Sequence, residues 1–407
     1  MEQMFPKIRP GVEALPIFQG GREAILLRDR MGISPDMVLD RSAGLILALM
    51  DGRNDLRDIQ VALMRRGGLG LIGMDQIEEF VKTLDNNYFL DNERYWSQRR
   101  EVTRAFRENP LRVAAHAGSA YPADAGELRS LLGSLLQKAG SGNQLPQIAP
   151  SGLVLPHIDL TRGGECYAWG YKALEPFVHQ VDLFVILGTS HVPMDRPWAM
   201  TSKIFETPLG RVDSAADLAQ KFCELAGEDF FWDELAHRTE HTIEIQLVFL
   251  QYLAQKASKS FRVLPILCSG YHELMDGRLL PSSSSSLTRG FAALKRLLAE
   301  TPEGVCVIAS ADLSHLGPQF GDPRPLEVSD LPSIAREDME MLQWVTKGNP
   351  DGFYRHIMAE RDRRRICGLP PIYAWLTLME GKSIKLIKYS QAYHPYCTVT
   401  FASIGAW

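Results

Sequence analysis

Apolar and polar positions fall into two regimes along the chain. From residue 151 onward, short unbroken apolar runs alternate with stretches of helical period. They read "GLVLPH", helix "ECYAWGYKAL", "DLFVILGTSH", helices "SAADLAQKFCELAG" and "HTIEIQLVFLQYLAQKA", then "FRVLPILCSG", helix "LTRGFAALKRLLAE" and "VCVIASADLSH". A run without a polar face suits a strand buried on both sides, and helices between such runs suit the crossovers that parallel strands need. The pattern predicts an α/β fold, with a mixed or mostly parallel sheet flanked by helices.

The first hundred residues read differently. "REAILLR" predicts a strand and is followed by three amphipathic helices. The first begins after Asp40 or Ser42 and ends at Gly52, and the others are "DLRDIQVALMRRGG" and "MDQIEEFVKTLDNN". "YFLDNERYW" reads as a closing strand. The expectation is a small winged-helix-like α+β domain over 1–100. Residues 101–150 then hold a linker and the first elements of the next domain, including helix "AGELRSLLGSLLQKAG" and the polar stretch "GSGNQLPQIAPSG". The main α/β domain spans 151–407. Serines 282 to 286 read as a mobile loop.

Composition narrows the classes. The chain has 407 residues, 45% of them hydrophobic and 23% charged, with a net charge of −5, so nothing in its global electrostatics favours phosphate backbones or anionic lipid. A DNA-binding winged helix would need "MDQIEEFVKTLDNN" as its recognition helix, and that helix is more acidic than basic. No nucleic-acid partner is expected. The N-terminus lacks a secretion signal and no apolar stretch reaches membrane-spanning length, so the expected location is cytoplasmic, without membrane. The six cysteines are scattered, with no CxxC pair and no CxxxCxxC. A zinc ribbon, a disulfide framework and an intrinsic radical-enzyme cluster are all unsupported.

The histidines carry the chemistry. His157, His191 and His315 each follow a buried-type strand by a few residues, and His241 opens a long apolar helix. Open α/β sheets bind ligands at the carboxyl ends of their strands, so these imidazoles are expected to share a crevice, as metal ligands or proton carriers. Asp159, Glu240 and Asp312 stand near them as carboxylate partners. A site of two or three histidines and a carboxylate suits iron, zinc or copper. His237 and His241 lie four apart in "HRTEH", but Arg238 occupies the place where a zinc protease carries its glutamate. His237 is therefore read as a surface or capping residue. Cys166, nearest in sequence to His157, is read as lying away from the site. "ERDRRRICG" is read as a solvated cationic face.

Seven ordered stretches, "RVAAHAGSAYPAD", "LPHIDLTRGG", "ILGTSHVPM", "FETPLGRVD", "TEHTIEIQLVFL", "SADLSHLG" and "ICGLPPI", resemble the Memo family, also called AmmeMemoRadiSam system protein B, over residues 112 to 407. The N-terminal block resembles the PqqD-like peptide-recognition domains. The Memo resemblance implies a fold related to the class III extradiol dioxygenases and a metal cofactor, iron foremost, with copper or zinc as alternatives. In the family's animal members the metal is held by two histidines and a cysteine. Those positions fall on His157, His191 and Ser314, so the thiol is missing at its usual place. Asp159 and His241 are the candidates to replace it.

On this reading His157, His191, His241 and Asp159 form the metal set, while His241, Glu240 and Asp312 serve catalysis, the two carboxylates orienting imidazoles. Arg162, Ser314 and His315 contact substrate, and the guanidinium at 162 implies an anionic small molecule or peptide. The alternative is a non-catalytic peptide- or phosphate-binding component of a modification pathway. Its partners, implied by the family name, are radical S-adenosylmethionine and AMMECR1-like proteins.

Overall fold

The computed structural model describes residues 5–66, 73–140, 145–269 and 279–407. Positions 141–144 of the polar stretch before residue 152 lie outside them. The chain divides between Glu108 and Asn109 into two compact units. Among the described residues, no helix is long and apolar enough to cross a membrane.

The N-terminal unit opens with three antiparallel strands, β1 (Val12–Gln19), β2 (Arg22–Asp29) and β3 (Met37–Asp40), in that order across the sheet. Only β2 was legible in the sequence. Gly20 and Gly21 both take positive φ, 59° and 77°, which the tight turn between β1 and β2 requires. Pro16 in β1 is tolerated because β1 pairs with β2 alone. Four helices follow: α1 (Ala43–Leu49), α2 (Leu56–Arg66), α3 (Met74–Asn86) and α4 (Glu93–Glu108). Ile59, Leu63, Ile77, Val81 and Leu84 pack against Leu27 and Phe89 in this unit's own core.

The closing strand expected at "YFLDNERYW" does not form. Leu90 makes an isolated bridge to Ile8, and then Asn92 accepts from the Tyr95 amide at 3.2 Å and starts α4. An aromatic-rich run has strand propensity, but here the capping residue inside it decides.

The C-terminal unit is built on a sheet of eleven strands. The first is β4 (Leu111–Arg112), followed by α5 (Ala125–Lys138), β5 (Gly152–Leu155), α6 (Leu160–Leu174) and β6 (Leu183–Thr189). Next come β7 (Trp198–Met200), β8 (Ile204–Thr207), β9 (Gly210–Ser214), α7 (Ala216–Ala226), α8 (Glu244–Lys256) and β10 (Arg262–Cys268). The last third holds α9 (Ser285–Glu300), β11 (Val305–Ser310), β12 (Asp312–Leu316), α10 (Leu331–Thr346), α11 (Pro350–Ala359), α12 (Leu369–Leu378), β13 (Ile384–Ala392) and β14 (Thr398–Ala406).

Its strand order is β12-β14-β5-β11-β6-β10-β9-β8-β4, with β13 paired to β14 and β7 to β10. The central strands β5, β11, β6 and β10 are parallel, and β14 joins β5 antiparallel. Every residue of β6 is buried. Leu183, Val185 and Leu187 face a cluster with Leu294 of α9 and Ile372 and Trp375 of α12, while Phe184 and Ile186 point oppositely and are equally buried. On α6 and α8, Tyr171 stacks on Phe249 at 4.7 Å. The unbroken apolar runs are thus strands covered on both faces.

Two expectations fail in this unit. The serine tract is not a loop: Pro281–Ser283 form a 3-10 turn, and the Ser284 side chain caps α9. The cationic run is not simply a solvated face. Arg364 is 2% exposed and paired with Asp338.

Candidate metal centre

The parallel strands end together, and their ends are tied by side chains. The Ser310 carbonyl, closing β11, accepts from His157 Nδ1 at 3.1 Å and from the Thr189 hydroxyl at 3.2 Å. Gln246 on α8 donates to the Pro156 carbonyl and the Ser310 hydroxyl, both at 2.7 Å. The Thr242 hydroxyl donates to the Thr189 carbonyl at 2.9 Å. These short bonds bring the chain beyond β5, the chain beyond β6 and the turn before α8 to one place.

Three imidazoles meet there. Ring centres of His157 and His191 are 5.0 Å apart, those of His157 and His241 5.4 Å, and those of His191 and His241 5.0 Å. A fourth ring, His116, stands 5.3 Å from His241. Glu240 is buried below two of them. Its oxygens lie 3.1 and 3.2 Å from His191 Nδ1 and 2.9 Å from His241 Nδ1, and they also accept the backbone amides of His191 and His241.

The partners fix the tautomers. A carbonyl or a carboxylate only accepts, so Nδ1 carries the proton on His157, His191 and His241, and the lone pair of each ring sits on Nε2. Burial pushes Glu240 up, but the neighbouring His191 and His241 rings outweigh it and hold its carboxyl well below the usual range. Burial, reinforced by the His191 and His241 rings, pushes His157 well below its ordinary value, so it stays a neutral donor.

Cys367 completes the group. It stands between α11 and α12, and its Sγ is 3.2 Å from His157 Nε2. Burial holds the thiol well above its usual value, so it donates to that lone pair. Ligand atoms of His157, His191 and Cys367 all lie within 4.8 Å of one another, as do those of His191, Glu240 and His241. Gly368, next in sequence, donates its amide to the Asp312 carbonyl at 3.1 Å. A Cβ there would stand 2.4 Å from that oxygen, so only glycine lets the thiol-bearing loop come so close.

Asp312 borders this group, whereas Asp159, Ser314 and His315 are engaged by other partners. Asp312 accepts the His157 amide at 2.9 Å rather than the His157 ring proton, and its Oδ2 is 3.6 Å from Nε2. Burial, opposed by that amide, pushes its carboxyl up to about 7. Asp159 caps α6, accepting from the Arg162 amide at 3.1 Å and the Arg162 Nε at 2.6 Å, so its carboxylate is committed to its own helix. The Ser314 hydroxyl is buried and donates to Asp338 at 2.7 Å. His315 turns its Nδ1 to the Leu313 and Arg365 carbonyls and its ring edge to Phe320.

His237 is neither at the surface nor a cap. It is buried, donates Nε2 to the Ala199 carbonyl at 3.0 Å, and its ring is pushed down to about 3 by burial. Cys166 lies by Ser403 and the Lys388 carbonyl. The sequence reading missed Cys367 and His116, although both stand inside quoted motifs. The available signal was a histidine in "RVAAHAGSAYPAD" and a cysteine in "ICGLPPI".

The family model described as "Memo-like protein" matches residues 112–403. A MEMO1 family protein of Aquifex aeolicus is 26% identical over 363 residues, covering 89% of this chain and 89% of its own. That stretch is longer than the C-terminal unit, so the likeness reaches into the N-terminal one. One of Thermus thermophilus is 27% identical over 341 residues, 84% of this chain and 94% of its own. One of Pyrococcus furiosus is 32% identical over 256 residues, 61% of this chain and 81% of its own.

Proposed function

The chain belongs to the Memo family, and from that premise we propose that its C-terminal unit binds a metal through His157, His191 and Cys367 and acts on an anionic small molecule or peptide. One observation carries the reading: His157, His191 and His241 each turn Nδ1 to a buried carbonyl or carboxylate, and ligand atoms of His157, His191 and Cys367 lie within 4.8 Å of one another. This is the orientation that metal-bound histidines take from their outer partners. Two imidazoles with a sulfur suit iron(II), copper(I) or zinc, and are a poor set for magnesium or calcium, which prefer oxygen.

When bound, such a metal supplies a charged centre at which a substrate and an oxidant can meet. The chain's own residues do the rest. Glu240 stays ionised and holds the His191 and His241 rings in one tautomer. His241 keeps Nδ1 on Glu240, so a proton it takes up or gives passes through Nε2. Arg162, half-exposed one turn into α6, offers its guanidinium to an acidic group.

The test is elemental analysis of protein purified without chelator, repeated for His157→Ala, His191→Ala and Cys367→Ser. The expected result is a near-stoichiometric transition metal in the parent and a strong loss in each variant. Equal, negligible metal in all four, under aerobic and anaerobic handling alike, would leave the non-catalytic binding role as the better description.

A further inference from the structure

Cys367 differs from the histidines in how it reaches the centre. His157 and His191 follow strands of the sheet directly, while Cys367 sits on an irregular loop, residues 360–368, that holds three non-glycine residues at left-handed backbone angles. These are Arg361 at φ 54°, Asp362 at 48° and Arg365 at 54°. Such conformations persist only where the surroundings over-determine them.

Half-exposed pairs, Arg363 with Glu337 at 2.6 Å and Arg365 with Asp322 at 2.8 Å, hold the loop's outer side, and one buried ion pair holds its inner side. Arg364 Nη1 lies 2.6 Å from Asp338 Oδ1 on α10, with side-chain exposures of 2% and 0%, and its Nε donates to Glu360 at 3.1 Å. Asp338 also accepts Ser314 of β12 at 2.7 Å, Tyr389 of β13 at 2.8 Å and Thr400 of β14 at 2.6 Å. A single carboxylate thus joins three strands, a helix and the loop. Arg364 and Arg365 are also tied to His315 of β12, and the loop is closed on itself at Ile366. The Arg364 carbonyl accepts the His315 amide at 2.7 Å, Arg365 donates to the His315 carbonyl at 3.1 Å, and the Ile366 amide reaches Asp362 at 2.8 Å.

We infer that Arg364 is a positioning residue of the centre: its pair with Asp338 fixes the loop so that the Cys367 thiol meets His157 Nε2. The inference rests on the reading of Cys367 as a ligand, and it also explains Ser314. The hydroxyl at the family's cysteine position is a strut for Asp338, and the sulfur comes from the loop that Asp338 holds. A lysine at 364 would keep the charge but lack the fork that reaches Asp338 and Glu360 together.

The test uses the full chain as parent, Arg364→Met, Arg364→Lys and Cys367→Ser, with Leu297→Ala in α9 as a control for loss of stability away from the centre. Cobalt(II) is added to metal-stripped protein and the thiolate-to-cobalt absorption recorded. Separately, iodoacetamide labelling of Cys367 in metal-free protein is timed against Cys397. Arg364→Met is expected to lose most of the absorption, weaken cobalt binding by about 10- to 100-fold, and label Cys367 at least several-fold faster. Leu297→Ala should keep the parent values, and Arg364→Lys should fall between.

If parent and Cys367→Ser give the same cobalt spectrum, the ligand reading is wrong, and the labelling rates still decide the positioning role. If the spectrum is present and Arg364→Met, no less folded than Leu297→Ala by circular dichroism, keeps both the spectrum and the slow labelling, the positioning role is overturned. Should Arg364→Met not fold, Arg364→Lys decides, and unchanged spectrum and labelling there overturn the role equally.

Discussion

Glu240 lies in the irregular segment four residues before Glu244, the first residue of α8; both are buried, and they do opposite things. Glu244 faces Arg112, a permanent cation, and also accepts the Tyr121 hydroxyl and the amides of Ala115 and His116. Arg112 in turn donates to the carbonyls of His237 and Glu240. Every charge on this side is balanced inside the protein. Among the described residues no arginine pairs with the Glu240 carboxylate, whose side-chain partners are two imidazoles that are neutral unless they take up a proton. The difference separates a clamp from a site: a buried carboxylate balanced by a guanidinium is finished, whereas one that holds two imidazoles by Nδ1 turns their Nε2 atoms away from itself, as metal-bound histidines require.

One substitution made at both positions sharpens the contrast. Glu244→Gln leaves the Arg112 charge buried and uncompensated, and breaking a buried pair in this way costs about 3–5 kcal/mol. The expected outcome is a large drop in unfolding free energy in urea, with metal content per folded molecule little changed. Glu240→Gln should cost less, about 1–3 kcal/mol of stability, because its amide nitrogen leaves one backbone N–H without an acceptor. Its amide can accept from one Nδ1–H but presents N–H to the other ring, which must move its proton to Nε2 and lose that lone pair. Metal affinity is then expected to fall about 10- to 100-fold, measured by titrating metal-stripped protein with zinc. Comparable losses of stability at both positions, with metal affinity untouched, would break the comparison.

The arginine side also carries a pH signature. His237 titrates near 6.5 in an unfolded chain and near 3 in the folded one, because burial beside the Ala199 carbonyl keeps it neutral. The unfolded state therefore binds the extra proton first, so stability is full above about pH 6.5 and falls as the pH drops toward 3. Between about pH 7 and pH 5 this group alone removes about 2 kcal/mol. In His237→Gln, which can still donate to Ala199 but does not titrate, the urea midpoint should fall by correspondingly less over that range. An equal fall in parent and variant would place the acid sensitivity on other groups.

These differences bear on what the sequence could reveal. The parallel strands were legible because burial on both faces writes an unbroken apolar run, and His157 and His191 because they follow such runs directly. His241 was legible from its place before α8. Cys367 was not, since its position depends on the Arg364–Asp338 pair, whose members are 26 residues apart on elements with no shared period. His237 was read as a surface or capping residue because Arg238 stands where a zinc protease carries its glutamate, but Glu234–Arg238 form a 3-10 turn in which the His237 ring is buried. Asp159 and Glu240 looked alike in sequence, each a carboxylate beside a candidate imidazole. Only the fold shows that one is used up by its own helix.

That last pair gives the smallest and most pointed test. Asp159 was a candidate metal ligand by proximity to His157, yet its two oxygens hold the Arg162 amide and the Arg162 guanidinium. Asp159→Asn keeps an oxygen for the cap, and an exposed pair of this kind contributes only about 0.2–1 kcal/mol. Unfolding in urea should shift by no more than about 1 kcal/mol, and zinc affinity should match the parent. The two effects are independent, which makes the outcome informative in either direction. If Asp159→Asn lowered zinc affinity as far as Glu240→Gln, then facing an imidazole Nδ1 would not be what sets a site carboxylate apart, and Asp159 would have to leave its helix to reach the metal.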